Sequence, residues 1–128
     1  MKFLIDTHVL LWWLTANPRL SPKAREIMDD GQFDRHVSAV TAFEIANKVR
    51  VGKLEFARQI IDEFDDVLAE GQFLKLDISI SHSKRAGLMP GDHRDPFDRL
   101  LAAQAEIEGL VMLTNDPEFE SFSVQSIW

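Results

Sequence analysis

The stretch "MKFLIDTHVLLWWLTA", residues 1–16, decides how the chain is organised. Residues 2–5 form a short, nearly continuous apolar run, the signature of a strand buried on both faces of a parallel sheet. Asp6 ends the run, and a helical pattern follows over 7–15. A cationic start before an apolar run resembles a secretory leader. However, Asp6 and His8 interrupt the run and only Lys2 precedes it, so it reads as strand, acid, helix. In α/β folds, ligand sites gather beyond the carboxyl ends of the strands, which is where this order places Asp6.

The same alternation continues along the chain. Further strands are expected at 35–39, 73–78, 110–114 and 121–127, the last the weakest. Helices are expected at 21–30, 41–50, 54–71, 80–87 and 96–108. Ser21-Pro22 opens the first of these and Gly71 and Gly109 close two others. Over 54–71, Phe56, Ile60, Phe64 and Val67 or Leu68 fall on one face. Strands alternating with helices predict right-handed crossovers and a mostly parallel sheet covered on both sides. With 128 residues and no repeat or linker, a single domain over 1–128 is expected.

Composition narrows the function. The absence of cysteine excludes disulfides, zinc–thiolate sites and cysteine nucleophiles, and fits a cytoplasmic location. No run is long enough to predict a membrane span. A net charge of −7 argues against broad non-specific binding to nucleic acid. It leaves room for a nuclease, because a carboxylate cluster that holds cations supplies several of those charges itself.

Four acids stand where sites form, and each has a structural explanation as well. Asp6 could cap the helix after it. Glu44, three residues after Thr41, has capping-box spacing. In "HRDPFDRLLAAQA", 93–105, Asp95-Pro96 is a strong helix start and Asp98 in the first turn suits the helix dipole. Asp95 has Arg99 four residues on, whereas Asp98 faces Ala102, which leaves Asp98 the freer carboxylate. Asp116, ahead of Pro117, could start a turn or helix. In this scheme Asp6 and Asp116 end strands while Glu44 and Asp98 lie in first helical turns. If the first and fourth strands are neighbours, the four converge on one sheet edge. Packed carboxylates must protonate or find a cation, and an all-oxygen set suits Mg²⁺ or Mn²⁺.

The motifs "FLIDTHVLLW" (3–12), "SAVTAFEIANKVRVGKL" (38–54), "HRDPFDRLLAAQA" (93–105) and "MLTND" (112–116) together resemble a PIN domain, more narrowly the VapC-type toxin ribonucleases of toxin–antitoxin pairs. The resemblance runs along essentially the whole chain. It implies a three-layer α/β/α sandwich around a parallel sheet and a Mg²⁺- or Mn²⁺-dependent acidic site that cuts single-stranded RNA. It also implies a cognate antitoxin as partner, and a homodimer. Carried over by motif, Asp6, Glu44, Asp98 and Asp116 are the four acids, and Asp95 belongs to the Asp-Pro-Phe-Asp variant of one subgroup. On this reading Asp6, Asp98 and Asp116 hold the metal, directly or through water. Glu44 holds a second ion or orients the attacking water. Asp95 touches metal or only caps the helix, and Thr114 and Asn115 orient ligands or form a turn.

The four histidines, His8, His36, His82 and His93, share no metal-ligand spacing, which speaks against zinc. His93 is expected to be a solvated loop residue, with contact to a phosphate beside the site as the alternative. Lys48, Arg50, Arg94 and Arg99 are candidates to track an RNA backbone, alongside Lys53, Lys84 and Arg85. Of Trp12 and Trp13, one is expected in the core and the other near a partner. Two other functions compete. An aspartyl phosphatase would use Asp6 as nucleophile, but position 8, where a second Asp is usual, is His8, and no Gly-rich phosphate loop is present. A non-catalytic binding module would use the acids only as caps.

Overall fold

The computed structural model describes residues 1–128. The first strand, β1 (Lys2–Ile5), lies at the centre of a five-stranded sheet ordered β3-β2-β1-β4-β5. Its other members are β2 (Asp34–Ser38), β3 (Leu74–Leu76), β4 (Val111–Leu113) and β5 (Ser126–Ile127). Every pairing is parallel, so the sheet is wholly rather than mostly so. The α-helices are α1 (Thr7–Leu14), α2 (Pro22–Asp29), α3 (Ala39–Arg50), α4 (Arg58–Asp62), α5 (Phe64–Glu70), α6 (Ile80–Leu88) and α7 (Pro96–Glu108). None is long and apolar enough to cross a membrane.

The two-residue period of β1 divides the core. Phe3 and Ile5 point to one side, where they join Val9 and Leu10 of α1, Ile27 and Met28 of α2 and Leu68 of α5. Leu4 points to the other and joins Ala86 of α6, Leu101 and Ala105 of α7 and Met112 of β4. Helices therefore cover both faces of the sheet, giving an α/β/α sandwich. Each fully buried side chain of this kind stabilises the fold by about 1.5–3 kcal/mol, so the central strands are the most strongly fixed part of it.

Four local expectations change. The helix expected from residue 41 begins at Ala39, because Ser38 caps it by accepting the Val40 N–H at 3.0 Å. Thr41 is consequently not a cap, and Glu44 lies in the second turn rather than the first. The continuous helix expected over 54–71 is a 3₁₀ turn (Glu55–Ala57) followed by α4 and α5, with the break at Glu63. Asp65 and Asp66 in the first turn of α5 favour a fresh helix N-terminus there, and Phe56 is left in solvent. The strand expected over 121–127 shrinks to Ser126–Ile127. Ahead of it a 3₁₀ helix, Pro117–Phe122, buries Phe119 and Phe122, whose three-residue spacing matches its turn. The remaining difference is β3, which is short, with Leu74 exposed, as befits a sheet edge.

A buried polar chain ties α7 to the sheet. Ser38 Oγ donates to Gln104 Oε1 at 2.6 Å, and Gln104 Nε2 donates to the Asp77 carbonyl at 3.2 Å. Gln104 is fully buried, so both ends of its amide depend on these partners. Arg35 does similar work on the other face. Its buried guanidinium donates to the carbonyls of Met28 and Gly71 at the ends of α2 and α5, and lies over the Phe73 ring.

Replacing Gln104 by Leu strands the Ser38 hydroxyl and the Asp77 carbonyl without their partner. A loss of about 1–3 kcal/mol in urea unfolding is expected. An unchanged midpoint would show that the chain of bonds does not hold α7.

Candidate active site

The register decides the site. Ile5 of β1 lies beside Leu113 of β4, so the two strands end together. The Asp6 N–H then donates to the Leu113 carbonyl at 3.2 Å, which brings Asp6 beside Thr114. Asp6 is only 4% exposed. Its Oδ1 accepts the Thr7 N–H at 2.8 Å and its Oδ2 accepts the Thr114 hydroxyl at 2.7 Å. Asp6 is thus the N-cap of α1 and a buried carboxylate at the sheet's edge at once. Burial pushes its pKa above the ordinary value. The neighbouring His8 and the two hydrogen bonds pull the other way, and the charge of Asp116 adds to the rise.

Glu44 comes from α3, beyond β2. Its Oε1 accepts the Thr7 hydroxyl at 2.7 Å, and Thr7 Oγ1 also lies 3.0 Å from Thr41 Oγ1. The Thr41–Glu44 spacing that suggests a capping box therefore serves the site: both residues meet Thr7, directly after Asp6. Burial raises the Glu44 pKa, and the charges of Asp6 and Asp98 raise it further, against the bond from Thr7 and the charge of Lys48.

Asp98 enters on α7. Asp95 caps this helix, its Oδ1 accepting the N–H groups of Phe97 at 2.9 Å and Asp98 at 3.3 Å. Pro96 is the first helical residue. The cap frees the Asp98 side chain, whose Oδ2 lies 2.9 Å from His93 Nε2. Burial pushes the Asp98 carboxyl up to about 6, with Asp95 and Asp6 adding to the rise and the His93 bond opposing it. The bond to Asp98 in turn raises the His93 pKa.

Asp116 caps the Pro117–Phe122 turn through Glu118 N–H at 2.9 Å, while Thr114 Oγ1 accepts the Asp116 N–H at 3.0 Å. Thr114 thus joins Asp6 to Asp116. Asn115 Oδ1 lies 2.7 Å from His8 Nε2, and His8 Nδ1 is 3.3 Å from Asp6 Oδ2. The charge of Asp116 acts on Asp6, that of Asp6 on Glu44 and Asp98, and that of Asp98 on Glu44.

Sequence reasoning missed four contributors: Thr7, Thr41, His8 and Glu118. His93 is also misplaced by it. It is half-buried and bridges Asp98 and Glu118, its Nδ1 lying 3.4 Å from Glu118 Oε2. One ligand atom from each of His93, Asp98 and Glu118 falls within 4.8 Å of the others. The Thr7–His8 pair carried a signal, being polar side chains adjoining the strand-end acid. Glu118 carried none, because only the 3₁₀ turn brings it back towards α7.

The candidate cations divide. Arg99 does not pair with Asp95. It donates to the carbonyls of Ala86 at 2.8 Å and His93 at 2.9 Å, and to that of Met89, which occupies its donors inside the protein. Arg85 is paired with Glu106, and Arg50 with Asn47. Lys48 stays half-exposed on the turn after Glu44, and Arg94 is exposed beside the start of α7. Trp12 and Trp13 are both half-buried rather than divided between core and surface.

The donor set fits a hard divalent cation. Several carboxylates meet at one edge, are partly desolvated, and are raised rather than lowered in pKa, so they lack the positive charge that would ionise them comfortably. His93, Asp98 and Glu118 already bring one ligand atom each within 4.8 Å of the others, and the charges of Asp6 and Asp116 act on this same edge.

A family model described as PIN domain matches residues 3–124. The chain is 26% identical over 120 residues to Ribonuclease VapC22 of Mycobacterium tuberculosis, covering 92% of this chain and 89% of that protein. The structure of VapBC2 from Rickettsia felis, bound to a DNA fragment from their promoter, superposes with a TM-score of 0.74 at 17% identity, over 99% of this chain and 98% of that one. A toxin–antitoxin complex from Klebsiella pneumoniae gives 0.65 at 17% identity, over 99% and 97%.

A carboxyl whose folded pKa lies above its unfolded value stabilises the fold below the unfolded value and loses that contribution as pH rises through the folded one. For Asp98 the window runs from 3.8 to about 6. Without divalent ions, Asp98→Asn should therefore stabilise the protein at pH 7.5 by about 1–2 kcal/mol, after discounting for solvent screening. The gain should fade below pH 4. Mn²⁺ should raise the melting temperature of the parent protein at pH 7.5 and do much less for Asp98→Asn. Thermal unfolding with and without Mn²⁺ checks both, and a destabilised Asp98→Asn at pH 7.5 would contradict the mutual repulsion.

Proposed function

The chain belongs to the PIN domain family, and from that premise we propose that it is a Mg²⁺- or Mn²⁺-dependent endoribonuclease, the toxin of a toxin–antitoxin pair. The observation that carries the reading is the convergence of Asp6, Glu44, Asp98 and Asp116 beyond the ends of β1, β2 and β4. The likeness to a protein named as a ribonuclease supports the substrate class. The fold shared with a toxin–antitoxin complex supports an antitoxin partner, and a homodimer of single-domain chains acting in the cytoplasm completes the proposal.

Asp6, Asp98 and Asp116 would hold the cation, directly or through water. When bound, it supplies positive charge against the phosphate and the attacking and leaving oxygens. The protein's own residues fix the geometry. Thr114 and the Thr7 N–H lock both oxygens of Asp6. Thr7 holds one oxygen of Glu44, and the other is available to hold a second ion or to take a proton from the attacking water. His93 fixes Asp98. Thr114 and Asn115 orient Asp6 and His8 as well as shaping the turn. Lys48 and Arg94 are positioned to meet the RNA backbone.

The phosphatase alternative has no support here, because His8 leans on Asp6 where a second carboxylate would be needed. A module using its acids only as caps would not need Glu44 or Asp98, neither of which caps a helix.

Incubating the protein with total RNA in Mg²⁺, Mn²⁺ or excess chelator tests the proposal. Cutting should require the metal. Asp6→Asn and Asp98→Asn should each lower the rate at least about 100-fold, or about 2.7 kcal/mol on the barrier. Chelator-resistant cutting, or variants that cut as the parent does, would refute the mechanism.

A further inference from the structure

Two aromatic residues directly precede acids of the candidate site, and the core accounts for only one of them. Phe97 is half-buried and packs against the core formed by α6, α7 and β4. Phe43 belongs to neither core cluster and is 56% exposed. Its ring leans on Phe97, with centroids 5.3 Å apart and planes 37° from parallel. Phe43 directly precedes Glu44, and Phe97 directly precedes Asp98. The pair therefore spans α3 and α7 beside the carboxylates those helices bring to the site.

We propose that Phe43, backed by Phe97, is a stacking platform for an unpaired nucleobase next to the scissile phosphate. The inference rests on the ribonuclease reading and adds to it how the substrate is gripped. Every base has a π face, so an exposed ring beside cations holds single-stranded nucleic acid with little regard for sequence. Cations on the same two segments are Lys48, whose charge acts on Glu44, and Arg94, exposed three residues before Phe97. A single RNA strand brings its phosphates to the cations and its bases to the rings. Phe97, held by the core, keeps Phe43 in place, so the platform exists before substrate arrives.

The test uses the full chain and RNA oligonucleotides whose cleavage position has been mapped, each with and without an abasic nucleotide beside that position. Phe43→Ala should raise KM about 10-fold on the intact oligonucleotide, within the range of one lost stacking contact, and leave kcat within about 2-fold. Phe43→Leu, which keeps an apolar side chain without a ring, should behave like Phe43→Ala. Phe43→Trp should restore the parent KM. On the abasic oligonucleotide the parent and Phe43→Ala should be alike. Phe56→Ala, at a ring 59% exposed on the 3₁₀ turn after α3, should match the parent throughout. Equal losses on intact and abasic substrates would overturn the platform, as would an unchanged KM for Phe43→Ala. So would normal kinetics combined with a shift from dimer to monomer in sedimentation, which would assign the ring to a contact between copies. A parent protein that cuts no RNA would refute the ribonuclease reading itself.

Discussion

Asp6 is a carboxylate buried at the point where the two central strands end side by side, and burying a charge there is costly unless its surroundings compensate. Much of the neighbouring structure does so. Thr7 and Thr114 satisfy its two oxygens, and His8 lies beside it. Thr114 passes the connection to Asp116, Thr7 to Glu44, and Asn115 to His8. Compensation is incomplete, because burial still holds the pKa of Asp6 up and Glu44 and Asp98 are raised with it. A site left in that condition is prepared for a cation. On the proposed function, the strain of like charges and the affinity for metal would be one property seen without and with the ion.

Capping and function coexist at this edge because a strand followed at once by a helix leaves few other places for a polar side chain. Asp6, Asp95 and Asp116 all cap, yet they contribute unequally. Asp95 spends one oxygen on two N–H groups and stays exposed, and its effect is to start α7 where Asp98 points inward. Asp6 caps with one oxygen while the other faces Thr114 and His8. The same economy explains Arg99. It sits four residues from Asp95, but the carbonyls of Ala86, Met89 and His93 need donors where the chain enters α7. Binding them secures the loop that carries His93 to Asp98.

The parts of this fold legible in the sequence are those fixed by local chemistry. Apolar runs at 2–5 and 110–114 marked the central strands, Ser21-Pro22 and Asp95-Pro96 marked helix starts, and Gly109 closes α7 in the left-handed region at φ 67°. Failures came where tertiary contacts chose between local alternatives. Ser38 displaced Thr41 as the cap of α3, which moved Glu44 up a turn and turned Thr41 towards Thr7. Phe119 and Phe122 could be buried by a 3₁₀ turn, so the chain spent on that turn what the pattern had suggested for β5. Of the candidate acids, Asp6 and Asp116 were legible as residues just after β1 and β4, and Asp98 as a first-turn residue of α7. Glu118 and Gln104 were not, since one is brought near by a turn and the other matters through partners in β2 and beyond β3.

A net charge of −7 and a proposed RNA substrate are compatible once charge is placed rather than summed. On the proposed function, the acids at the sheet edge count as negative only until a cation is bound. Several of the remaining cations are used inside the protein: Arg35 at two helix ends, Arg99 on three carbonyls, Arg85 on Glu106. What stays available is Lys48, whose charge acts on Glu44, and Arg94, exposed just before the start of α7. Such a surface has little long-range attraction for nucleic acid. Its grip has to come at close range, from metal, two cations and a ring acting on a strand that can bend to meet all of them. On the proposed function, an unpaired strand meets these groups more readily than a duplex, whose bases would have to be unpaired before one could reach the ring.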